Sequence, residues 1–493
     1  MSPRVLLPFA LLAVGACDRG YTNVDDLWPV DRLTPTADGL YAPLPQGRDG
    51  LAWITPDGAA APVDLGDRTL GGLFASPGNT AAWARLVDWS CEVADRREAR
   101  RVKVRDDCPS DALVGTRTLH PLVAGTVGPA IDLDPQYDSF AWSPDGRYAI
   151  GFTAGSVDGF VNLTSVVVVD TTTNTPTNVA VGFGAQGAAF SADGTKAIVL
   201  TQTEVVLIDL TGSPSRVASF ELTSDRSETI RAIGAEITAD GSFALVTLAG
   251  KRDVYVLDLV NPSINLVGLS GTPVAMLDGT RTVLAYNDAA VVDLLDHDLF
   301  EIQSVALDTW VDRIVPVPDG ALLWRQGAQD VYHLDVATGD TVRFRLVGAA
   351  RAVELLPDNS GALVFSGTNT VELVDFANTD GDIDRVFGLG GVPIAMALTS
   401  SALGPKAIVL VQDSPDLVVI DVFAATAAQI ELSGTPLGIG ALPGGPFYVA
   451  EAEPLGLVGF IDPETLTITE AAGFATLGLL DEVPVTVVEP EPR

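Results

Sequence analysis

The chain contains little lysine, histidine or cysteine, with four, three and three of these in 493 residues. Acidic residues number 64 against 29 lysines and arginines, so the formal net charge is −35. A charge of this sign repels nucleic-acid phosphates and anionic lipid surfaces, and neither is an expected partner. No nucleophile elbow, zinc-protease motif, phosphate loop or dinucleotide fingerprint occurs in a convincing context. The composition therefore gives little support to an enzyme.

The chain also lacks an apolar run of the ~20 residues that a membrane helix needs. The apolar residues 5–14 are too few to span a bilayer, and Cys17 follows two small residues, which resembles a bacterial lipobox. An ordinary signal peptide or a buried N-terminal strand is the alternative. We predict a lipoprotein signal peptide over residues 1–16, a tether over 17–35, and export to the cell envelope. The protein would be anchored through Cys17, in the periplasm or on the cell surface, with the membrane and leaflet left open.

With Cys17 lipidated, two cysteines remain. Cys91 and Cys108 form an even pair in an oxidising compartment, which predicts a disulfide between them. Metal binding is the weaker interpretation, because no nearby histidine completes a tetrahedral ligand set.

Glycine, proline and short apolar runs are abundant, and they recur at intervals of roughly 35 to 50 residues, the period of a repeat array. The clearest copy, residues 140–150, reads FAWSPDGRYAI, and the apolar run VVVVD follows at 166–170. The next copy, residues 189–200, reads AFSADGTKAIVL. The turn of the repeat falls at ten glycines: Gly39, Gly78, Gly146, Gly194, Gly241, Gly279, Gly320, Gly361, Gly404 and Gly444.

Each repeat reads as four short strands. The copy after Gly182 predicts strands at 187–191, 196–201, 205–210 and 216–222, and the Asp-Gly pair supplies the tight turn between the first two. Radial repetition of such units predicts an all-β fold over residues 36–488, a β-propeller of four-stranded antiparallel blades. We expect a single ring of about 8–10 blades, followed by a tail at 489–493. A β-helix and two smaller rings are the alternatives.

The copy at 140–148 closely resembles the repeat of TolB-like propellers. The Gly-x-Pro marker at 271–273, the Asp-Gly turn and the strand ending in aspartate resemble the YVTN family of surface-protein propellers. The resemblance covers nearly all of the chain after residue 36. These motifs are structural, so they imply blades and no activity; resemblance to TolB implies an adaptor in an envelope complex.

A strongly basic insertion lies between Cys91 and Cys108. We expect an extended hairpin, closed by the disulfide, at the loop between the second and third strands of its blade. The cations either form ion pairs with neighbouring carboxylates or form a docking site for an acidic partner, a phosphate-bearing headgroup or an envelope polymer. The six cations are Arg96, Arg97, Arg100, Arg101, Lys103 and Arg105.

One acidic loop has a spacing that suits a metal ion. Asn378, Asp380, Asp382 and Asp384 place oxygen-bearing side chains at alternate positions around a glycine, as a calcium site requires. A plain acidic turn is the alternative, and no other cofactor is expected.

Histidine offers little for catalysis. His333 falls in an apolar strand pattern and is expected to pack, while His297, between two aspartates, reads as a solvated turn or as a base or metal ligand. The sequence therefore predicts a monomeric, non-enzymatic binding or scaffold module for an envelope protein or polymer. The alternative is a propeller hydrolase or lactonase with loop carboxylates around the central channel. Convergent carboxylates with a histidine at the channel mouth would favour the enzyme; a basic or apolar patch on one face would favour binding.

Overall fold

The computed structural model describes residues 33–43, 50–77, 81–91, 113–133, 137, 139–153, 164–223, 230–277, 279–318, 320–451 and 457–472, without the side chains of 89–91 and 113–115. The predicted signal peptide, Cys17, the cations of the basic insertion, Cys108, Asp319 and the C-terminal tail lie outside these residues. Within them, no helix is both long and apolar enough to cross a membrane.

The described residues form ten antiparallel sheets, and the strands pair in chain order except at the outer edge of the second sheet. Blade 1 consists of β1 (Thr34–Thr36), β2 (Gly39–Pro43), β3 (Leu51–Ile54) and β4 (Ala60–Val63), and blade 2 of β5 (Thr69–Ala75), β6 (Ala82–Cys91), β7 (Leu113–Val123), β8 (Thr126–Val127) and β9 (Ile131–Asp132). Blade 3 consists of β10 (Ser139–Trp142), β11 (Tyr148–Phe152), β12 (Ser165–Asp170) and β13 (Thr175–Ala180), and blade 4 of β14 (Gly187–Phe190), β15 (Lys196–Leu200), β16 (Glu204–Asp209) and β17 (Ser215–Glu221). Blade 5 consists of β18 (Ala232–Ile237), β19 (Phe243–Leu248), β20 (Asp253–Asp258) and β21 (Ser263–Gly268).

Blades 6 to 10 follow the same plan. Blade 6 consists of β22 (Pro273–Leu277), β23 (Arg281–Tyr286), β24 (Val291–Asp296) and β25 (Ile302–Ala306), and blade 7 of β26 (Arg313–Val317), β27 (Gly320–Trp324), β28 (Asp330–Asp335) and β29 (Thr341–Arg345). Blade 8 consists of β30 (Ala350–Leu355), β31 (Gly361–Ser366), β32 (Thr370–Asp375) and β33 (Arg385–Gly388), and blade 9 of β34 (Pro393–Ser401), β35 (Gly404–Val411), β36 (Asp416–Asp421) and β37 (Thr426–Glu431). Blade 10 consists of β38 (Pro436–Ala441), β39 (Phe447–Glu451), β40 (Leu457–Ile461) and β41 (Ile468–Ala472).

Blade 2 departs from the plan only at its outer edge. Both β8 and β9 pair with β7, at Leu122–Val123 and at Thr118–Leu119 respectively. Together they take the place of one fourth strand, so the sheet is a four-stranded blade whose outer strand is interrupted. The ten blades confirm the predicted propeller and fix its blade number at the upper end of the expected range.

The blades are held together by apolar layers, one between each pair of neighbours. In β12, Val166 and Val168 pack towards blade 4, whereas Val167 and Val169 pack towards blade 2. Successive strand residues point to opposite faces of a sheet, and both faces of a blade are covered. This is why the third strands read as continuous apolar runs and lack the alternation of a half-exposed strand.

Side-chain packing also closes the ring. Leu40 and Ile54 of blade 1 lie in one buried cluster with Val458 and Phe460 of blade 10. Within the described ranges, blade 1 uses only β1–β4 and blade 10 only β38–β41, so the two terminal blades share no strand.

The first strand of each blade lies nearest the axis. Consecutive first strands contact one another, as β14, β18, β22 and β26 do, whereas fourth strands such as β21 are exposed along their length. The first strands therefore line the central channel, and the loops gather on two opposite faces around it.

Candidate functional site

The antiparallel order of the strands divides the loops into two groups. Turns from first to second and from third to fourth strands lie on one face, here called the Asp-turn face. Loops from second to third strands and from each blade to the next lie on the other, here called the loop face. The two faces carry different chemistry.

The Asp-turn face repeats one aspartate motif. Asp145 accepts hydrogen bonds from the Ser143 hydroxyl at 2.6 Å and from the Arg147 amide at 3.1 Å. Asp193 and Asp240 occupy the same place in blades 4 and 5. The Thr238 hydroxyl and the Ser242 amide lower the pKa of Asp240 to about 2, because both stabilise its charged form. As the Asp-Gly pairs of the sequence predict, each of these turns joins a first to a second strand, so Asp145, Asp193 and Asp240 share one face.

Cations on the Asp-turn face are already engaged. Lys196 Nζ donates to the Gly241 carbonyl of the next blade at 2.7 Å, and Arg281 Nη1 donates to the Val336 carbonyl of the next blade at 3.4 Å. Arg385 lies 3.1 Å from Asp384 and also donates to carbonyls of blade 9. These contacts join neighbouring blades, so the described part of this face presents mainly carboxylates.

On the loop face, buried acids hold the loops that enter the blades. Asp293, fully buried in β24, accepts hydrogen bonds from the Ser270 amide at 2.9 Å and from the Ser270 and Ser304 hydroxyls. Glu372 holds the same position in blade 8 and accepts the Val347 amide at 2.7 Å. The Gly-x-Pro marker of the sequence follows Ser270 directly, so these loops are structural.

A cluster of arginines lies at the channel mouth of blades 7 and 8 on the loop face. Arg325 directly follows β27, and its guanidinium lies 4.0 Å from the centre of the Trp310 ring. Arg313, the first residue of β26, donates to the Asp312 carbonyl and to Gln326 Oε1, both at 3.1 Å. Arg313 is thereby held beside the loop that carries Arg325.

Backbone hydrogen bonds bring a third arginine to the same place. The Gly327 amide donates to the Ala350 carbonyl at 2.9 Å, and the Ala350 amide donates to the Ala328 carbonyl at 2.7 Å. Arg351 follows Ala350 and is exposed. We name Arg313, Arg325 and Arg351 the mouth arginines. Among the described residues, neither the Arg325 nor the Arg351 side chain makes a hydrogen bond or an ion pair, although the protein is strongly acidic.

Sequence reasoning missed the mouth arginines because no two of them are adjacent in the chain. A signal was available: Arg313 and Arg351 each fall at the start of an innermost strand when the repeats are aligned, and Arg325 directly follows a second strand. The predicted site was the basic insertion instead. Its flanking strands pair up to Cys91 and Leu113, so the chain leaves and re-enters blade 2 on the loop face. The predicted disulfide and all six cations of the insertion lie outside the described residues.

The candidate calcium loop is closed by its own contacts. Asn378 Nδ2 donates to the Asp382 carbonyl at 2.8 Å, Asn378 Oδ1 accepts the Asp380 amide at 2.9 Å, and Asp384 pairs with Arg385. The described ranges contain no group of three or more His, Cys, Asp or Glu side chains arranged to hold a metal. Calcium binding by these residues remains a prediction.

The three histidines lie in different blades. His333 stacks on Phe376 with ring centres 5.0 Å apart, and burial lowers its pKa. His297 Nε2 lies 2.9 Å from the Thr282 hydroxyl, which donates to Glu236 at 2.5 Å and so links blades 5 and 6.

His120 in blade 2 bonds through both ring nitrogens, to the Gly128 carbonyl and to Thr118 and Arg68. Burial lowers its pKa, as in His333. Each histidine thus sits in a local packing contact, and the structure does not gather the three into one site.

One carboxylate on an innermost strand has an altered pKa. Glu354 in β30 is exposed, yet protein surrounds it inside the ring, and the resulting desolvation raises its pKa to about 7. Glu236 occupies the equivalent position of blade 5 but is buried and accepts a hydrogen bond from the Thr282 hydroxyl of blade 6.

A pocket of about 470 Å³ lies on the Asp-turn face where blades 9, 10 and 1 meet. Ser400, Gly445, Asp462 and Glu464 line it together with Pro56 of blade 1. Glu464 accepts the Ala402 amide at 2.5 Å, and the backbone amides of Thr465 and then Glu464 lower the pKa of Asp462. Both carboxylates therefore hold turns in place.

Comparison with known proteins adds little to this geometry. No family model and no curated protein matches the chain. Among solved structures, it is similar to dihydro-heme d1 dehydrogenase NirN in complex with DHE, with TM-score 0.42, 15% identity, and coverage of 69% of this chain and 76% of that one. It is similar to a functionally unknown protein from Desulfotomaculum acetoxidans DSM 771, with TM-score 0.34, 16% identity and coverage of 55% and 92%. It is also similar to the C-terminal WD40 domain of Sif2, with TM-score 0.38, 13% identity and coverage of 59% and 85%. Similarity at this level carries no inference about function.

Proposed function

We propose that this protein is a lipid-anchored propeller of the cell envelope that binds an acidic partner through its loop face and performs no chemistry. The observation that carries the proposal is the arginine cluster at the channel mouth. Arg325 and Arg351 have no carboxylate partner among the described residues, whereas cations on the Asp-turn face are tied to carbonyls or carboxylates. Unpaired arginines at one face are suited to a carboxylate-bearing or phosphate-bearing partner.

The basic insertion supports the same face. Because β6 and β7 flank it at Cys91 and Leu113, its six cations would extend from the loop face at blade 2, across the ring from the mouth arginines of blades 7 and 8. Charges arranged in this way increase the rate of association with an acidic partner and make binding depend on salt. Lipid attachment at Cys17 would place this face within reach of envelope proteins or polymers, and an adaptor of the TolB type is one form of such a module.

The experiment is capture of partners from detergent-solubilised envelope by the full-length protein. We expect replacement of Arg97, Arg100, Arg101 and Lys103 by glutamine to weaken capture and its salt sensitivity, with nearly unchanged melting temperature. The control replaces Arg343 and Arg345 by glutamine; both lie on the outer strand β29 of blade 7 and pair with Asp330 of β28. Equal capture by the insertion variant and the wild type, at low and at moderate salt, would contradict the proposal.

A hydrolase using loop carboxylates is the second candidate. The observation in its favour is the pocket between blades 9, 10 and 1, where Asp462 and Glu464 lie beside serine and threonine hydroxyls. Turnover of ester or lactone substrates that disappears in Asp462→Asn would establish it.

Calcium binding at Asn378, Asp380, Asp382 and Asp384 is tested separately. A calcium-dependent rise in melting temperature that is absent from Asp380→Asn would support the site.

A further inference from the structure

The mouth arginines differ from the paired arginines on the outer strand of blade 7, Arg343 and Arg345, in how they are held. Arg343 pairs with Asp308 at 2.5 Å and with Asp330 at 3.0 Å, and Arg345 pairs with Asp330 at 3.3 Å. Asp312, the acid nearest to the mouth arginines in sequence, receives the Gln326 amide at 3.1 Å. Asp308, Asp312 and Asp330 therefore already accept hydrogen bonds from other protein groups.

The three arginine side chains are held by different contacts. The Arg325 guanidinium carbon lies over the Trp310 ring, a cation–π contact that uses none of the N–H groups needed to bind oxygen acceptors. Gln326 and the Asp312 carbonyl hold Arg313. The Arg351 side chain lies over the second-to-third loop of blade 8: its Nε is 3.7 Å from the position that a Cβ atom would take at Gly367.

We propose that Arg325 and Arg351, with Trp310 and Arg313 positioning the first, form a binding site for paired carboxylates of an acidic polypeptide segment. The inference rests on the proposed function and names the subsite and the ligand chemistry. Two guanidinium forks carried by adjacent blades match two carboxylates better than one small anion.

The net charge of −35 does not prevent this binding. At moderate salt, exposed charges separated by more than about 10 Å are largely screened. Many of the described carboxylates lie on the Asp-turn face, at the opposite end of the channel. The arginines that contact the ligand therefore dominate the local potential at the mouth.

The test uses the full-length protein in detergent and fluorescein-labelled hexaglutamate, measured by fluorescence anisotropy at low and moderate salt. We expect the Arg325→Gln, Arg351→Gln double variant to weaken binding about tenfold or more, the loss of two charge-assisted contacts. The Arg343→Gln, Arg345→Gln double variant changes net charge equally and should change binding less than twofold. Equal losses in the two variants, or no binding by the wild type, would overturn the site.

Substitutions of Trp310 distinguish a structured binding site from general attraction by surface charge. Trp310→Leu should weaken peptide binding severalfold, whereas Trp310→Phe, which keeps an aromatic face for Arg325, should restore most of it. Loss in both variants with an unchanged melting temperature would contradict the stacking role. Displacement of the peptide by inorganic phosphate should be no better than displacement by acetate at equal ionic strength. Better displacement by phosphate would show that the site prefers phosphate and would overturn an acidic polypeptide as its ligand.

The outcomes also separate this site from the proposed function. If the insertion variant loses envelope capture but the peptide does not bind the mouth, the subsite is wrong and the docking function stands. If the peptide binds the mouth but the insertion variant captures partners as the wild type does, the subsite stands and the docking role of the insertion is wrong.

Discussion

The Tyr286 hydroxyl donates a hydrogen bond of 2.6 Å to the fully buried carboxylate of Asp293. Burial of Tyr286 and this hydrogen bond both raise the pKa of the tyrosine, so the phenol stays protonated and keeps donating. Asp293 in turn holds the loop at Ser270 that leads into blade 6. A single buried acid therefore fixes the register of a blade-to-blade connection.

Tyr286→Phe removes the donor and leaves the Asp293 carboxylate with one contact fewer in a dry site. We expect a loss of about 1–3 kcal/mol in the free energy of unfolding, measured by urea titration. Tyr255→Phe in blade 5 is the control, because its hydroxyl has no hydrogen bond to the described residues. Equal effects of the two changes would show that the contact with Asp293 contributes nothing special.

Ring closure should depend on the cluster between blades 10 and 1. Leu40→Ala should cost roughly 2–5 kcal/mol through the cavity it leaves, and hydrogen exchange should speed up in both blades 1 and 10. Leu363→Ala, equally buried between blades 8 and 9, should cost a similar amount and speed exchange only near those blades. Faster exchange in blade 1 alone after Leu40→Ala would contradict closure by this packing.

Glu354 should make stability depend on pH. Its pKa is raised to about 7 in the folded protein, from an ordinary value of 4.5, so the folded state binds this proton more tightly than the unfolded chain. The stabilisation is present below pH 4.5 and is lost as the pH rises through about 7. Glu354→Gln should therefore equal the wild type in melting temperature near pH 4 and exceed it above pH 7. The gain is on the order of 1 kcal/mol after allowance for channel water.

The control for this measurement is Glu431→Gln, an exposed carboxylate on the outer strand β37. Its melting temperature should follow that of the wild type throughout the range. A constant difference between Glu354→Gln and the wild type at every pH would show that the effect is steric and does not arise from ionisation.

Membrane attachment is predicted to depend on Cys17. Cys17→Ser should release the protein from the membrane fraction or leave the precursor uncleaved, since lipid attachment requires the thiol. Membrane fractionation and the mass of the N-terminal peptide give the readout. Normal processing and membrane retention of Cys17→Ser would show that Cys17 does not carry a lipid anchor.

The blade architecture was predictable because it is encoded locally and repeated. In blade 4 the predicted strands 187–191 and 205–210 correspond to β14 (Gly187–Phe190) and β16 (Glu204–Asp209), within one residue at each end. The Asp-Gly turn and the apolar run ending in aspartate determine each hairpin without reference to distant residues. The blade number was harder to predict, because the second repeat is interrupted by the insertion and by the broken outer strand at β8 and β9.

The mouth arginines were not predicted, because their proximity is a property of the ring. Arg325 belongs to blade 7 and Arg351 to blade 8, and only the hydrogen bonds between Ala350 and the 327–328 loop bring them to one place. Sequence spacing reveals contacts within a hairpin, whereas contacts between loops of neighbouring blades depend on blade number, tilt and loop conformation. Clusters of charge adjacent in the chain, such as the basic insertion, were the ones that sequence inspection found.

The most direct test of the central claim is a hydrogen-exchange footprint of the full-length protein with its captured envelope partner. The account predicts slower exchange in the second-to-third loops of blades 7 and 8, at 325–328 and 367–369. Exchange should remain unchanged at the Asp-turn loops around Asp145 and Asp193. Protection of the Asp-turn loops, with the loops at 325–328 and 367–369 unaffected, would contradict binding through the loop face.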